Sequence, residues 1–283
     1  VADRVPGGNT DGRQRFDRVP EAPSEDVRRL LTEGDLDITG RLSDASNVTL
    51  LATASLDGQS VQCIYKPVRG ERPLWDFPDG TLAEREYASY LLSEAAGWHC
   101  VPLTLLRPGP LGAGMVQVWI EDADPDLVVD LLPVKRVPAD WISVFRAVDY
   151  SGDDVAVAHA DEPRLAVLAG FDAVANNADR KGSHILPTAD GRIYGVDHGL
   201  CLHQEDKLRT ILWGFAGRKL PAAVADGLER LSTELDGTLG EQLDELITTA
   251  ERRALDRRLH QLLQTRRFPK PPGHRNPIPW PPL

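Results

Sequence analysis

The chain has 283 residues, of which 41% are hydrophobic and 27% charged, and a formal net charge of −11. This is a globular composition, long enough for one large domain or two lobes. The acidic balance argues against non-specific binding to nucleic acid or an anionic membrane, and no apolar run approaches the roughly 20 residues that span a bilayer.

Residues 1–22 are rich in Gly, Pro, Asp and Arg without periodicity and read as disordered. No secretory signal is read there. The three cysteines, Cys63, Cys100 and Cys201, are widely spaced and odd in number, which suits buried thiols in a reducing cytosol and predicts a cytoplasmic protein. Residues 36–66 read as strands. "NVTLLATAS" and "SVQCIYKP" flank the turn signal Asp57-Gly58, predicting an antiparallel hairpin over 47–66. Residues 81–96 read as a helix, with Thr81 as N-cap, Glu84 at the capping-box position and Gly97 as the stop. "GMVQVWIE" (114–121) reads as a further strand.

Beyond it the chain reads as mostly helical. A helix is predicted over 161–175, and a long amphipathic pattern runs through "EQLDELITTAERRALDRRLHQLLQ". The proline-rich segment 268–283 can form neither a helix nor a central strand. It is expected along the surface, anchored by Phe268 and Trp280. The layout is an α+β fold: a β-rich part over 23–121, a mainly helical part over 122–267, and a join near 121–125. The cleft between two such lobes is a common ligand site.

"NNADRKGSHIL" (176–186) concentrates amides, an acid, bases and a histidine ahead of a short apolar run. "GRIYGVDHGLCL" (191–202) follows across the turn signal Ala189-Asp190-Gly191. Two short strands joined there form a hairpin with Asp179 before the first strand and Asp197 just after the second. These ends lie side by side. Two carboxylates held close in a cleft call for a cation, so the pair predicts a divalent-metal and proton-transfer site.

This arrangement resembles the catalytic and metal-binding loops of the phosphatidylinositol 3-/4-kinase-like branch of the protein-kinase fold. The family pattern Asn-x-Asp-Arg, a later Asn, a strand and Asp-x-Gly reads here as Asn177-Ala178-Asp179-Arg180, His184 and Asp197-His198-Gly199. Upstream, "CIYKPVRGERP" resembles the strand of the nucleotide-binding lysine, "EREYASYLLSEAAGWHCVPLT" the lobe-bridging helix, and "GMVQVWIE" the strand that meets adenine. The resemblance spans residues 36–202 and rests on the order and spacing of the motifs. The chain also resembles an actinobacterial family distantly similar to such lipid kinases.

The resemblance implies a two-lobed kinase-like fold and an atypical kinase acting on a nucleoside triphosphate, ATP or GTP, with Mn²⁺ or Mg²⁺. Lys66 would face the α/β-phosphates and Glu86 would pair with it, Glu84 belonging to the capping box. Asp179 would take the proton of the attacking hydroxyl. Arg180 would steady Asp179 or contact phosphate. Asp197 would hold the metal, and Asn177 would organise the loop. His198 would pack at a lobe interface. His184 stands where the family usually has the second metal ligand, an asparagine; it is either a variant ligand through a ring nitrogen or a mark of lost catalysis. The nucleotide-covering loop falls on 40–47, with Ser43, Ser46 and Asn47. Val118 and Trp119 would offer backbone groups to adenine, with Met115 at the back of the pocket. The acceptor would be a protein hydroxyl or a small polar metabolite. A phosphoinositide is not expected, because "HQEDKLRT" (203–210) is mixed in charge. The alternatives are a nucleotide-binding pseudokinase and a nucleotidyl transferase of the same fold.

Overall fold

The structure is a computed structural model that describes residues 24–42, 47–77, 81–121 and 123–283. The segment 1–22, read as disordered, lies outside the described residues. An antiparallel sheet carries the first part of the chain. It comprises β1 (Asp35–Arg41), β2 (Leu50–Leu56), β3 (Gln59–Pro67), β4 (Thr104–Gly109) and β5 (Gly112–Val118), in the order β1-β2-β3-β5-β4. The β2–β3 hairpin turns at Asp57-Gly58, whose φ angles of 52° and 79° are both positive, as a two-residue turn between twisted strands requires.

Two helices pack on this sheet, α1 (Glu25–Glu33) and α2 (Leu82–Ala95). The sequence reading placed no element before residue 36. Helix α1 is short and buries only Leu30 and Leu31, too few apolar positions to set a period. Helix α2 starts with a full capping box. Thr81 Oγ1 accepts the Glu84 N–H at 3.1 Å, and the Glu84 carboxylate accepts the Thr81 N–H at 2.8 Å.

The second part is not helical throughout. A three-stranded antiparallel sheet intervenes: β6 (Val129–Pro133), β7 (Trp141–Val148) and β8 (Asp154–Ala160), with β8 in the centre. This sheet was not foreseen; the helices that follow give the second part the helical character expected of it. The edge strands β6 and β7 are largely solvent-facing, so polar residues interrupt the alternation that marks a strand. Then come α3 (Pro163–Ala175), the hairpin β9 (Ile185–Pro187) and β10 (Ile193–Gly195), and helices α4 (Ala222–Glu234), α5 (Thr238–Leu246) and α6 (Thr249–Thr265).

The long amphipathic pattern is therefore two helices, α5 and α6. A second capping box separates them: Thr248 accepts the Glu251 N–H, and Glu251 accepts the Thr248 N–H at 3.0 Å. Glu251 also pairs with Arg85 at 2.6 Å, and Arg85 donates to the Cys201 carbonyl at 3.0 Å. These contacts tie α2 of the first part to α6 of the second. All three cysteines are buried and free. Among the described residues, no helix is long and apolar enough to cross a membrane.

The proline-rich tail lies on the second part. Phe268 is buried and anchors it, whereas Trp280 is 76% exposed and does not. The Pro277 carbonyl accepts the Thr210 N–H at 3.1 Å and the Trp213 Nε1–H at 2.8 Å, and the Pro282 carbonyl accepts the Gly182 N–H at 2.8 Å.

Helix α4 packs closely on α3 and on Trp98. The indole Nε1 donates to the Ala223 carbonyl at 3.0 Å, and a Cβ at Gly227 would run into that ring. In an open helix, replacing Gly by Ala stabilises by about 1 kcal/mol. Here overpacking costs about 1–3 kcal/mol. Gly227→Ala should therefore lower the unfolding free energy in a urea titration; a rise would show that the crossing has slack.

Candidate active site

Helix α3 is buried from Leu165 to Ala175 and carries one charged side chain in that run, Asp172. The helix ends on Asn176, which adopts the left-handed conformation with φ 57° and turns the chain back towards α3. Asn177 then reaches the helix twice. Its N–H bonds to the Asp172 carbonyl at 3.0 Å and its Nδ2 to Asp172 Oδ1 at 3.0 Å, while its Oδ1 accepts the Asp179 N–H at 2.9 Å. The loop that presents Asp179 is thus built on Asp172.

Arg180 completes this frame. It is fully buried, and its Nε and Nη2 meet Asp172 at 3.0 and 2.9 Å. Nη1 donates to the carbonyls of His184 at 3.1 Å and Val196 at 2.9 Å, and Nη2 lies 2.7 Å from His198 Nε2. A guanidinium only donates, so His198 accepts at Nε2, carries its proton on Nδ1, and is neutral. Burial, with Arg180 alongside, pushes His198 well below the usual histidine range.

Asp179 and Asp197 open onto one cleft of about 800 Å³ between the two parts of the chain, which Lys66, Glu86, Lys181 and His184 also line. Lys66 Nζ bonds to Glu86 Oε1 at 2.6 Å and to Asp197 Oδ1 at 3.0 Å. Glu86 is 2% exposed, and its other oxygen accepts the backbone N–H of His198 at 3.0 Å. One carboxylate on α2 therefore holds both the strand lysine and the Asp197-His198-Gly199 loop. Burial opposes the charge on Lys66, but Asp197 and Glu86 outweigh it and raise its pKa. In turn Lys66, against burial, holds the Asp197 carboxyl well below the usual carboxylate range.

Asp179 behaves in the opposite way. Burial raises its carboxyl and neighbouring Asp197 adds to the rise, while Lys181 at 3.0 Å and Arg209 pull it down without cancelling it. His184 Nε2 lies 3.4 Å from Asp197 Oδ2, and its Nδ1 is buried without a partner. Burial pushes His184 down to about 4, so the ring is neutral and has a free lone pair.

Other residues differ in their contacts from the sequence reading, although Val118, Trp119 and Asn47 do line the cleft. Arg180 has no exposed surface and cannot touch phosphate; it serves Asp172, not Asp179. Met115 is fully buried opposite Lys66 in the sheet and does not line the cleft. The N–H groups of Val118 and Trp119 are spent on the Leu103 and Gln62 carbonyls at 2.9 and 3.0 Å, because sheet pairing continues past the end of β5, so neither donates to a ligand. Asn47 lines the cleft, but its Oδ1 accepts the Arg72 N–H at 2.8 Å. Ser43 and Ser46 lie outside the described residues. Asp172 was not foreseen. Its one signal is an acid in an otherwise apolar helix.

The buried histidines make the chain acid-sensitive. His159 and His184 are both pushed down to about 4 by burial. Their unfolded value is about 6.5, so their contribution is complete above that pH and is lost as the pH falls from there towards 4. Between pH 7.5 and 5.5 the unfolding free energy should drop by about 1 kcal/mol per histidine. Urea unfolding at the two pH values measures this; equal stabilities would mean that the rings are protonated in the folded chain.

No family model matches the chain. It is similar to solved structures of two kinase-like proteins. With hydra Fam20 in complex with sugar it shares 14% identity at a TM-score of 0.54, covering 90% of this chain and 91% of that one. With the Golgi casein kinase bearing Mn/ADP it shares 14% identity at a TM-score of 0.50, covering 85% and 74%. At that identity the likeness shows the fold alone, a two-lobed kinase-like α+β fold. Protein Rv2133c of Mycobacterium tuberculosis (strain ATCC 25618 / H37Rv) is 50% identical over 267 residues, which cover 91% of this chain and 95% of the relative. The chain belongs to the same family as Protein Rv2133c.

Proposed function

We propose that this protein is an atypical kinase that transfers the γ-phosphoryl group of a nucleoside triphosphate, ATP or GTP, to a hydroxyl. The observation that carries the reading is the Glu86–Lys66–Asp197 chain of contacts across the cleft, with Asp179 on the same wall. Phosphoryl transfer demands positioning and charge neutralisation more than covalent chemistry by the protein. Lys66, fixed by a buried carboxylate, presents an ammonium where phosphate oxygens would lie. Asp179, with its raised carboxyl, takes the acceptor's proton as the hydroxyl oxygen forms the new bond to phosphorus and the bond to the nucleoside diphosphate breaks.

The donor set fits a divalent cation: the ionised Asp197 carboxylate and the neutral His184 imidazole face the same space. No group of three or more His, Cys, Asp or Glu suited to hold a metal occurs among the described residues, so nucleotide oxygens would complete the shell. The cation would neutralise charge on the phosphates. That the Golgi casein kinase structure holds Mn/ADP supports the same pairing of nucleotide and metal here. The order of the motifs supports placement in the phosphatidylinositol 3-/4-kinase-like branch, and the buried free thiols suit a reducing, cytoplasmic setting.

Asp179→Asn should cut transfer of a labelled γ-phosphoryl group by roughly 10²–10⁴-fold while nucleotide still binds. Asp197→Asn and Lys66→Met should instead weaken metal-dependent nucleotide binding, read by calorimetry. Nucleotide binding with no transfer would favour a pseudokinase, and label retained only from the α-phosphate would favour nucleotidyl transfer.

His184 sets the metal preference. Magnesium selects oxygen ligands in strict octahedral geometry, whereas manganese accepts nitrogen more readily. Nucleotide binding should be tighter with Mn²⁺ than with Mg²⁺, and the preference should persist below pH 6, since the ring is pushed down to about 4. His184→Asn should shift the preference towards Mg²⁺. A wild type that prefers Mg²⁺, with His184→Ala unchanged in metal response, removes His184 from the ligands.

A further inference from the structure

A second cleft, of about 620 Å³, lies on the other side of the loop that carries Asp179. Ala178 lines it, while Asp179, next in the chain, lines the first cleft, so one loop divides the two spaces. The other walls come from Trp75, from residues 203–209 and from Arg275-Asn276 of the tail. The volume is that of a small-molecule site.

The chemistry of this cleft departs from that of an acidic chain. Lys207, Arg209 and Arg275 all line it. Lys207 is occupied: its Nζ bonds to the Asp76 carbonyl and carboxylate at 3.1 and 3.0 Å. The two guanidiniums meet no carboxylate: among the described residues neither Arg209 nor Arg275 forms an ion pair, and the buried Nε of each has no hydrogen-bond partner. Arg209 spends one nitrogen on the Ile278 carbonyl, at 3.3 Å. Glu205, the remaining acid on the lining, is exposed and pairs with neither. Arg209 is also near enough to Asp179 to pull its carboxyl down.

We infer that this second cleft is an anion site, and that it takes a small hydroxyl compound bearing a phosphate or carboxylate, whose anion is gripped by Arg209 and Arg275 behind the loop that carries Asp179. The anion site does not depend on the kinase reading. Guanidinium forks match both anions, and a buried donor without a partner gains most from one. The mean charge of "HQEDKLRT" hides this, because its acids are exposed while its bases are partly buried. Gln204, Glu205 and Asp206 face solvent, while Lys207 and Arg209 are partly buried in the cleft wall. Trp75, 92% exposed at the rim, offers a flat apolar face to the carbon skeleton.

Three matched polyols test this on the full chain at low ionic strength: glycerol, glycerate and glycerol 3-phosphate. Calorimetry or ligand-observed NMR should detect the two anions and not glycerol, and their relative affinity tells phosphate from carboxylate. Arg275→Gln and Arg209→Gln should each weaken anion binding about tenfold, and Arg275→Lys should keep part of it. Lys66→Met should leave anion binding intact while nucleotide binding falls, so the two readings fail separately. Anion binding with no nucleotide binding would overturn the kinase reading and keep the site. Equal binding of glycerol and the anions, no binding at all, or full affinity in both Arg→Gln variants would overturn the inference.

Discussion

The Arg180–Asp172 pair is the constraint on which the site is built. Both side chains are fully buried, and removing two charges from water is costly unless every donor finds an acceptor. Here Asp172 receives Arg180 and Asn177, and the remaining Arg180 N–H groups reach two carbonyls and a histidine ring. Those carbonyls belong to His184 and to Val196, the residue before Asp197. One buried ion pair thereby sets the start of the Asp179 loop, the position of His184 and the approach to Asp197. Loss of either partner leaves an uncompensated charge, which typically costs about 3–5 kcal/mol, and it releases all three loops together.

Glu86 performs the complementary task between the two parts of the chain. It grips Lys66 on β3 and the His198 N–H in the Asp197-His198-Gly199 loop, while the preceding residue, Arg85, fastens the same helix to Glu251 on α6. Adjacent residues on α2 thus point one to the cleft and one to the far wall. The cleft's electrostatics follow from this arrangement. Asp197 is kept ionised by Lys66, whereas Asp179, with its lysine at the loop edge, keeps a raised carboxyl. Two nearby acids with opposite tendencies can divide metal holding and proton transfer between them.

Local signals were legible in the sequence and long-range ones were not. Asp57-Gly58 marks its hairpin because only a turn with two positive φ angles suits that pair, and Thr81 with Glu84 marks the start of α2 because the capping box lies within four residues. The Lys, Asp and Asp-x-Gly motifs were legible through their order along the chain. Asp172 was not, since its one signal, an acid in an otherwise apolar helix, does not say which partner the side chain meets. The direction of Arg180 was lost for the same reason: its neighbour in sequence is Asp179, but its partner lies one loop back. The sheet β6–β8–β7 was missed because exposed edge strands dilute the alternation. The break between α5 and α6 was missed because their apolar periods run in phase through Thr248.

A crystal structure with a non-hydrolysable nucleoside triphosphate and Mn²⁺ would test the central claim most directly. Lys66 bridges Glu86 and Asp197. The expected structure keeps the Lys66–Glu86 bond, transfers the other Lys66 contact from Asp197 to a phosphate oxygen, and places the metal against Asp197 and His184. A nucleotide bound elsewhere, or a Lys66–Asp197 pair left unbroken beside a fully occupied cleft, would contradict the account.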